Sequence, residues 1–129
     1  KRVTVTIDGK TYAFEPNKSM VDEEEVYQPK YNGKTLNEEY FKSYYQVLLS
    51  VMQTGLNDKE AVGTAIMSIQ YEYLDSSRKT DKLEIFDNGA GAYILSLNGN
   101  KAFKTRVSYV NTVKEATALI IENKKVVAN

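Results

Sequence analysis

The densest concentration of ligating groups in the chain is the run Asp22-Glu23-Glu24-Glu25. Four successive carboxylates invite a cation, yet a calcium loop spaces its oxygens in an Asp-x-Asp-x-Asp-Gly pattern that this run does not follow. It is expected to be a solvated charge run on a surface loop spanning 16–25. Ser76-Ser77-Arg78-Lys79 matches the Ser-x-x-Lys of serine acyl transferases, chemistry that needs a helix start inside a walled pocket; here the match falls in the polar turn 75–81. Gly89-Ala90-Gly91 lacks the third glycine and following helix of a dinucleotide loop and reads as a hairpin connection. Tyr40, Tyr44 and Tyr45 could stack on a sugar or base, but at helical spacing such a stripe packs on a sheet. Asn17-Lys18-Ser19 is a formal glycosylation sequon, meaningful only in a eukaryotic secretory protein.

The absences narrow the chemistry further. The chain has no His, no Cys and no Trp, which excludes imidazole acid–base catalysis, thiol nucleophiles, Ser-His-Asp triads and the usual zinc sites. Seventeen basic residues balance seventeen acidic ones, so the basic footprint of a nucleic-acid binder is missing. No apolar run approaches the ~18 residues of a membrane helix, and direct membrane insertion by this segment is not expected. The lack of cysteine leaves the redox compartment open. No catalytic, cofactor-binding or metal-ligating residue is assigned, and no cofactor is expected.

At 129 residues, the expectation is one domain over 1–129 with a single core. Val3 to Ile7 and Lys10 to Phe14 alternate apolar and polar around the turn Asp8-Gly9, so Val5 should face Tyr12 and Val3 should face Phe14. A second, short hairpin turns at Asn32-Gly33, and Pro29 marks its first strand as an edge. Asn37 caps a helix over 37–54, with Glu38 and Glu39 at its positive end and Phe41, Tyr44, Tyr45, Leu48 and Met52 in its apolar stripe. Strands follow near 65–73, 82–86, 93–97 and 102–107, then a helix over 109–123 capped by Ser108 or Thr112, with Thr112 to Glu115 at capping-box spacing. Lys124 and Lys125 suit the end of that helix, and Val126-Val127 suggests a terminal strand. The fold expected is α+β: a predominantly antiparallel sheet with two helices on one face. The core should include Val5, Tyr12, Phe14, Phe41, Tyr45, Leu48, Met67, Ile69, Leu95 and Ile120. Asn-Gly turns at 32–33 and 98–99, each leading toward a helix, indicate a weak internal duplication of a hairpin–helix unit.

The stretch Tyr31-Asn-Gly-Lys-Thr-Leu-Asn-Glu-Glu-Tyr-Phe-Lys-Ser-Tyr-Tyr-Gln46 and the stretch Tyr93-Ile-Leu-Ser-Leu-Asn-Gly99, in that order across 26–123, resemble an uncharacterised bacterial family, domain-of-unknown-function family 4340. The resemblance implies an extracytoplasmic fragment of a longer chain tethered to the bacterial cell membrane and associated with ABC-transporter systems. A start at Lys1 rather than Met fits a processed form or fragment. The family supplies no catalytic residue.

The function expected is therefore a non-catalytic extracytoplasmic interaction module whose partner is a protein or a neighbouring domain. Tyr27, Tyr31, Asn88 and Asn98 are its candidate contacts, because edge strands and Gly/Asn loop tips are the features core packing explains least. The alternative is a secreted small-ligand-binding or enzyme-inhibitor-like module. A carboxylate-based hydrolase ranks third, since it needs two carboxylates facing each other across a groove and the acidic residues fall in loops and helix starts.

Overall fold

The computed structural model describes residues 2–51, 55–56, 62–72, 80–89 and 92–127. Its elements are β1 (Arg2–Ile7), β2 (Lys10–Val21), β3 (Glu24–Tyr31), β4 (Lys34–Thr35), α1 (Glu38–Leu49), β5 (Gly55–Leu56), β6 (Val62–Glu72), β7 (Thr80–Asp87), β8 (Tyr93–Leu97), β9 (Asn100–Thr105) and α2 (Val107–Ile120). The strands form one nine-stranded sheet in the order β4-β3-β2-β1-β6-β7-β8-β9-β5. Every pairing in it is antiparallel. The α+β architecture expected from the periodicities is the one observed.

Turn chemistry fixes the register. Asp8-Gly9, Asn32-Gly33 and Asn98-Gly99 all have positive φ at both positions, the left-handed pair that matches the twist of a two-residue hairpin. The first sets Val3 opposite Phe14 and Val5 opposite Tyr12, as the alternation requires. Asp22-Glu23 makes the same kind of turn, at φ 50° and 68°, without any glycine. The segment 16–25 is accordingly a continuous hairpin and not the surface loop expected: β2 runs on to Val21, and β3 begins at Glu24. The left-handed conformation costs a non-glycine residue about 1–2 kcal/mol, which is why no turn was legible there.

Pro16 and Pro29 stand directly opposite one another in this hairpin. The two-residue turn makes Val21 and Glu24 a hydrogen-bonded pair, and the pairs alternate from there, so Met20 with Glu25, Lys18 with Tyr27 and Pro16 with Pro29 are non-hydrogen-bonded ones. Each proline nitrogen therefore faces away from the other strand and removes no bond between them. On the outer side of Pro29 only its carbonyl is used, accepting from the Leu36 N–H at 2.7 Å.

One face of the sheet carries Val3, Val5, Ile7, Phe14, Met67, Ile69, Leu83, Ile85 and Leu95, all buried beneath the two helices. Of the ten expected core residues, eight are fully buried; Tyr12 and Tyr45 are partly buried and pack against the cluster. The other face presents Thr4, Thr6, Ser68, Gln70 and Glu84 half-exposed in register. Phe86 and Ile94 are its apolar exception, and the Lys101 ammonium lies 4.5 Å from the Phe86 ring centroid.

The helices run antiparallel and are tied at both ends and in the middle. Asn37 Oδ1 accepts from the Tyr40 N–H at 3.1 Å, capping α1, while the Asn37 N–H donates to Asn123 Oδ1 at 2.7 Å. Asn123 is the left-handed residue just past α2, at φ 55°, and its own N–H returns to the Ile120 carbonyl. At the opposite end the Tyr109 hydroxyl donates to the Leu48 carbonyl at 2.6 Å, and the Ser50 hydroxyl donates to the Val47 carbonyl at 2.6 Å. Both reach carbonyls of the last turn of α1, where helices run short of backbone donors, and the Ser50 N–H joins its own hydroxyl on the Val47 carbonyl at 3.1 Å. Between them Thr117 Oγ1 donates to the Val113 carbonyl at 2.7 Å and accepts from Tyr44 Oη at 2.8 Å.

Several sequence expectations shift. Helix α1 stops at Leu49 with Ser50 as its C-cap, short of the expected 54. Helix α2 begins at Val107 behind Arg106, whose side chain makes no cap bond; Ser108 and Thr112 lie inside the helix, where Thr112 Oγ1 donates to the Ser108 carbonyl. The end of β9 at Thr105 sets this start, so the capping-box spacing at Thr112 goes unused. Val126 is buried in the core, but 126–127 forms no strand. The expected turn 75–81 lies largely outside the described residues, as do 57–61 and Ser76 to Lys79.

The repeat is larger than a hairpin–helix unit. β1-β2-β3-β4-α1 and β6-β7-β8-β9-α2 follow one plan, and apart from β5 the strand order is palindromic about the β1–β6 pair.

Leu48 is fully buried where α1 meets both α2 and the sheet. Leu48→Ala should therefore cost about 2–5 kcal/mol in a urea titration. A change within about 0.5 kcal/mol, the size typical of a surface substitution, would show that this face of α1 does not carry the core.

Candidate functional site

The four candidate contact residues do not form one site. Tyr27 and Tyr31 belong to β3, near one edge of the sheet, whereas Asn88 and Asn98 flank the two ends of β8 near the other. Tyr27 pairs its backbone with Lys18, and its side chain lies outside the described set. The half-buried Tyr31 ring packs 5.1 Å from Phe14 and 6.5 Å from Tyr12, covering the end of the core. Asn88 closes its own loop, with Oδ1 accepting from the Ala92 N–H and its N–H donating to the Ala92 carbonyl, both at 3.2 Å.

Asn98 does more. Its backbone N–H donates to the Lys82 carbonyl at 2.8 Å, its Oδ1 accepts from the Lys82 N–H at 2.7 Å, and its Nδ2 donates to Asp81 Oδ1 at 3.1 Å. One turn residue thus holds the start of β7 against the end of β8. Beside this clasp opens a groove of about 330 Å³ between the C-terminal part of α1 and the sheet. Leu48, Leu83 and Tyr71 form its floor, Leu49, Val51 and Leu97 its apolar rim, and Asp81 with Asn98 its polar end. Tyr45 meets Tyr71 edge-on at 6.1 Å and closes the side toward the core. Leu49 is 58% exposed and Leu97 37%, although both lie on elements whose other aliphatic residues, Val47 and Leu48 on α1 and Ile94 and Leu95 on β8, are buried.

Leu49, Val51, Leu97 and Asp81 were not singled out from the sequence. Leu49 directly follows Leu48 and falls off the buried stripe of α1; that offset is the one signal that could have marked it.

A smaller groove of about 190 Å³ lies where the end of α1 meets the start of α2, lined by Val47, Ser50, Thr105, Arg106, Ser108, Tyr109 and Thr112. The buried Tyr109 hydroxyl there is already committed to the Leu48 carbonyl. Among the described residues, no group of three or more Asp or Glu side chains is placed to hold a metal. The acidic run sits instead at the tip of the β2–β3 hairpin, with Asp22, Glu23 and Glu24 exposed. No described helix is long and apolar enough to cross a membrane.

Fold and groove together define an α+β domain with a helix-covered antiparallel sheet and an apolar cleft at one end of that cover. No family model, no curated protein and no solved structure matches the chain.

Burial pushes the Tyr44 and Tyr109 hydroxyls well above the ordinary phenol range, and nearby tyrosines add to the rise. In the unfolded chain both phenols ionise near ~10. The native state keeps its protons above that pH while the unfolded state loses them, so the stability these groups contribute is complete below pH ~10 and falls as pH rises beyond it. The expected loss is about 1.4 kcal/mol per pH unit for each phenol. Urea titrations from pH 8 to 11.5 should show that Tyr44→Phe and Tyr109→Phe each flatten the alkaline limb; limbs identical to wild type would mean that neither hydroxyl is held neutral by the fold.

Proposed function

We propose that this chain is a non-catalytic interaction module which docks a protein partner or a neighbouring domain on the groove beside Asn98. The observation that carries this reading is the exposure of Leu49 and Leu97 on the rim of a concave, apolar-floored cleft. Apolar side chains clustered around a concavity are what a docking site presents. The carboxylate in the cleft, Asp81, receives the Asn98 amide, an arrangement suited to holding a turn. The extracytoplasmic, membrane-tethered setting and an accessory role to an ABC-transporter system belong to the same proposal and rest on the resemblance carried by residues 31–46 and 93–99.

A second reading, a small-ligand or inhibitor-like module, draws on the same cleft, whose volume of about 330 Å³ falls at the small end of ligand pockets. The two separate experimentally. With a photo-crosslinking residue placed at Leu49 or Leu97 in the source cell, the docking reading expects adducts to one discrete membrane-associated protein. The same probe at Thr4, on the polar face, should give none. Adducts of equal yield from all three positions, or none from Leu49 and Leu97, would remove the docking reading.

A further inference from the structure

The β2–β3 hairpin is longer than the sheet it belongs to. Pairing of β2 with β1 ends at Phe14 opposite Val3, and pairing of β3 with β4 covers only Lys30 and Tyr31. Beyond Pro16 and Pro29 the hairpin continues as a two-stranded arm to its turn at Asp22-Glu23. Among the described residues no strand lies outside β3 over 24–28.

The register says which groups face outward. Val21 with Glu24, Ser19 with Val26 and Asn17 with Gln28 are the hydrogen-bonded pairs of the arm, so the N–H and C=O of Glu24, Val26 and Gln28 are used toward β2. Those of Glu25 and Tyr27 point to the open side. Each offers one donor and one acceptor in the plane of the sheet, spaced as an incoming strand needs them. Pro29, next in the outward series, has no N–H to offer, so the receptive edge ends there.

We propose that the outer edge of β3 at Glu25 and Tyr27 receives an extended, lysine- or arginine-bearing segment of another protein as an added strand. This rests on the reading of the chain as an interaction module and supplies a second mode of contact, distant from the groove. The charge requirement comes from the arm: residues 22–25 are all acidic, and none between Val21 and Gln28 is basic. A second copy pairing in parallel would set two such runs side by side, which like-charge repulsion opposes, and one pairing antiparallel through these same groups would set Glu25 against Tyr27 and Glu24 against Gln28, with no cation for either carboxylate. A basic strand gains what a copy does not supply. Backbone bonds would supply affinity and the acidic run selectivity, the division of labour in strand addition.

The test uses the whole chain with two synthetic probes, an alternating lysine–valine heptapeptide and its glutamate–valine counterpart. The basic heptapeptide should slow hydrogen exchange at the Glu25 and Tyr27 amides, and the acidic one should not. Tyr27→Pro removes only an outward-facing N–H and should leave the β2–β3 ladder intact, whereas Tyr27→Thr keeps that N–H. The proline variant should bind the basic peptide about tenfold or more weakly than the threonine variant, with the same urea midpoint.

Equal affinity of the two variants, equal binding of both peptides, or protection at Lys18 and Met20 instead would overturn the assignment. So would the absence of protection at Glu25 and Tyr27 in the unsubstituted chain, a measurement that stands even where Tyr27→Pro fails to fold. Crosslinking from Leu49 and Leu97 reports on the interaction-module reading separately, so this proposal can fall while that one stands.

Discussion

Everything on the covered face depends on two helices being held at one fixed separation and register, and buried tyrosine hydroxyls set both. Tyr44 reaches Thr117 at mid-helix, and Tyr109 reaches the last turn of α1. A phenol taken out of water without a partner would cost a few kcal/mol. These bonds are therefore satisfied only in arrangements very near the observed one, and neighbouring slides of α2 along α1 leave a buried hydroxyl stranded. Apolar packing alone tolerates such slides far better. The Asn37–Asn123 bond locks the remaining end, where the cap of one helix meets the exit of the other. Sheet register, fixed independently by left-handed hairpin turns, then gives the helices a single surface to fit.

That division explains which parts of the fold were legible in the sequence. Val3, Val5, Tyr12 and Phe14 could be paired correctly because Asp8-Gly9 admits one turn geometry and one face is apolar. Helix α1 could be started at Asn37 because its cap is a local bond. Its end was not legible: Leu49 and Val51 continue the apolar count, and what stops the helix is the distant Tyr109 hydroxyl together with Ser50. Nor was the start of α2, where Ser108 and Thr112 look like caps and sit inside the helix, because the sheet hands the chain over at Thr105. The β2–β3 arm was hidden for a different reason. Strand periodicity shows in a sequence when one face is buried, and 15–21 reads Glu-Pro-Asn-Lys-Ser-Met-Val, with no alternation to detect.

The candidate site was less legible than the fold, and Asn98 and Tyr31 show why. A turn asparagine has the same identity whether its amide faces solvent for a partner or is consumed by Lys82 and Asp81, as this one is. A tyrosine at a strand end likewise looks available until its ring is seen 5.1 Å from Phe14. The residues that line the groove have the converse problem: Leu97 shares a face of β8 with the buried Leu95, Leu49 stands one residue off the stripe of α1, and only the three-dimensional placement of α1 leaves both on one rim.

The palindromic strand order offers an internal standard against which those surfaces can be weighed. Folding requires the same work of each half, so features common to both, such as the Asn-Gly turns before each closing strand and helix, are explained by folding. Features present in one half only are not. Strand β2 has 12 residues where its counterpart β7 has 8, and β3 has 8 where β8 has 5. The excess is the arm beyond the buried Pro16 and Pro29; of its described side chains, those of 21–24, 26 and 28, none belongs to the buried core, and its turn holds Glu23 in a strained left-handed conformation. A turn that carries a conformational cost, on strands whose described side chains add no core, is not accounted for by core packing, and what the arm does set out, the outward backbone groups of Glu25 and Tyr27, faces away from the rest of the sheet.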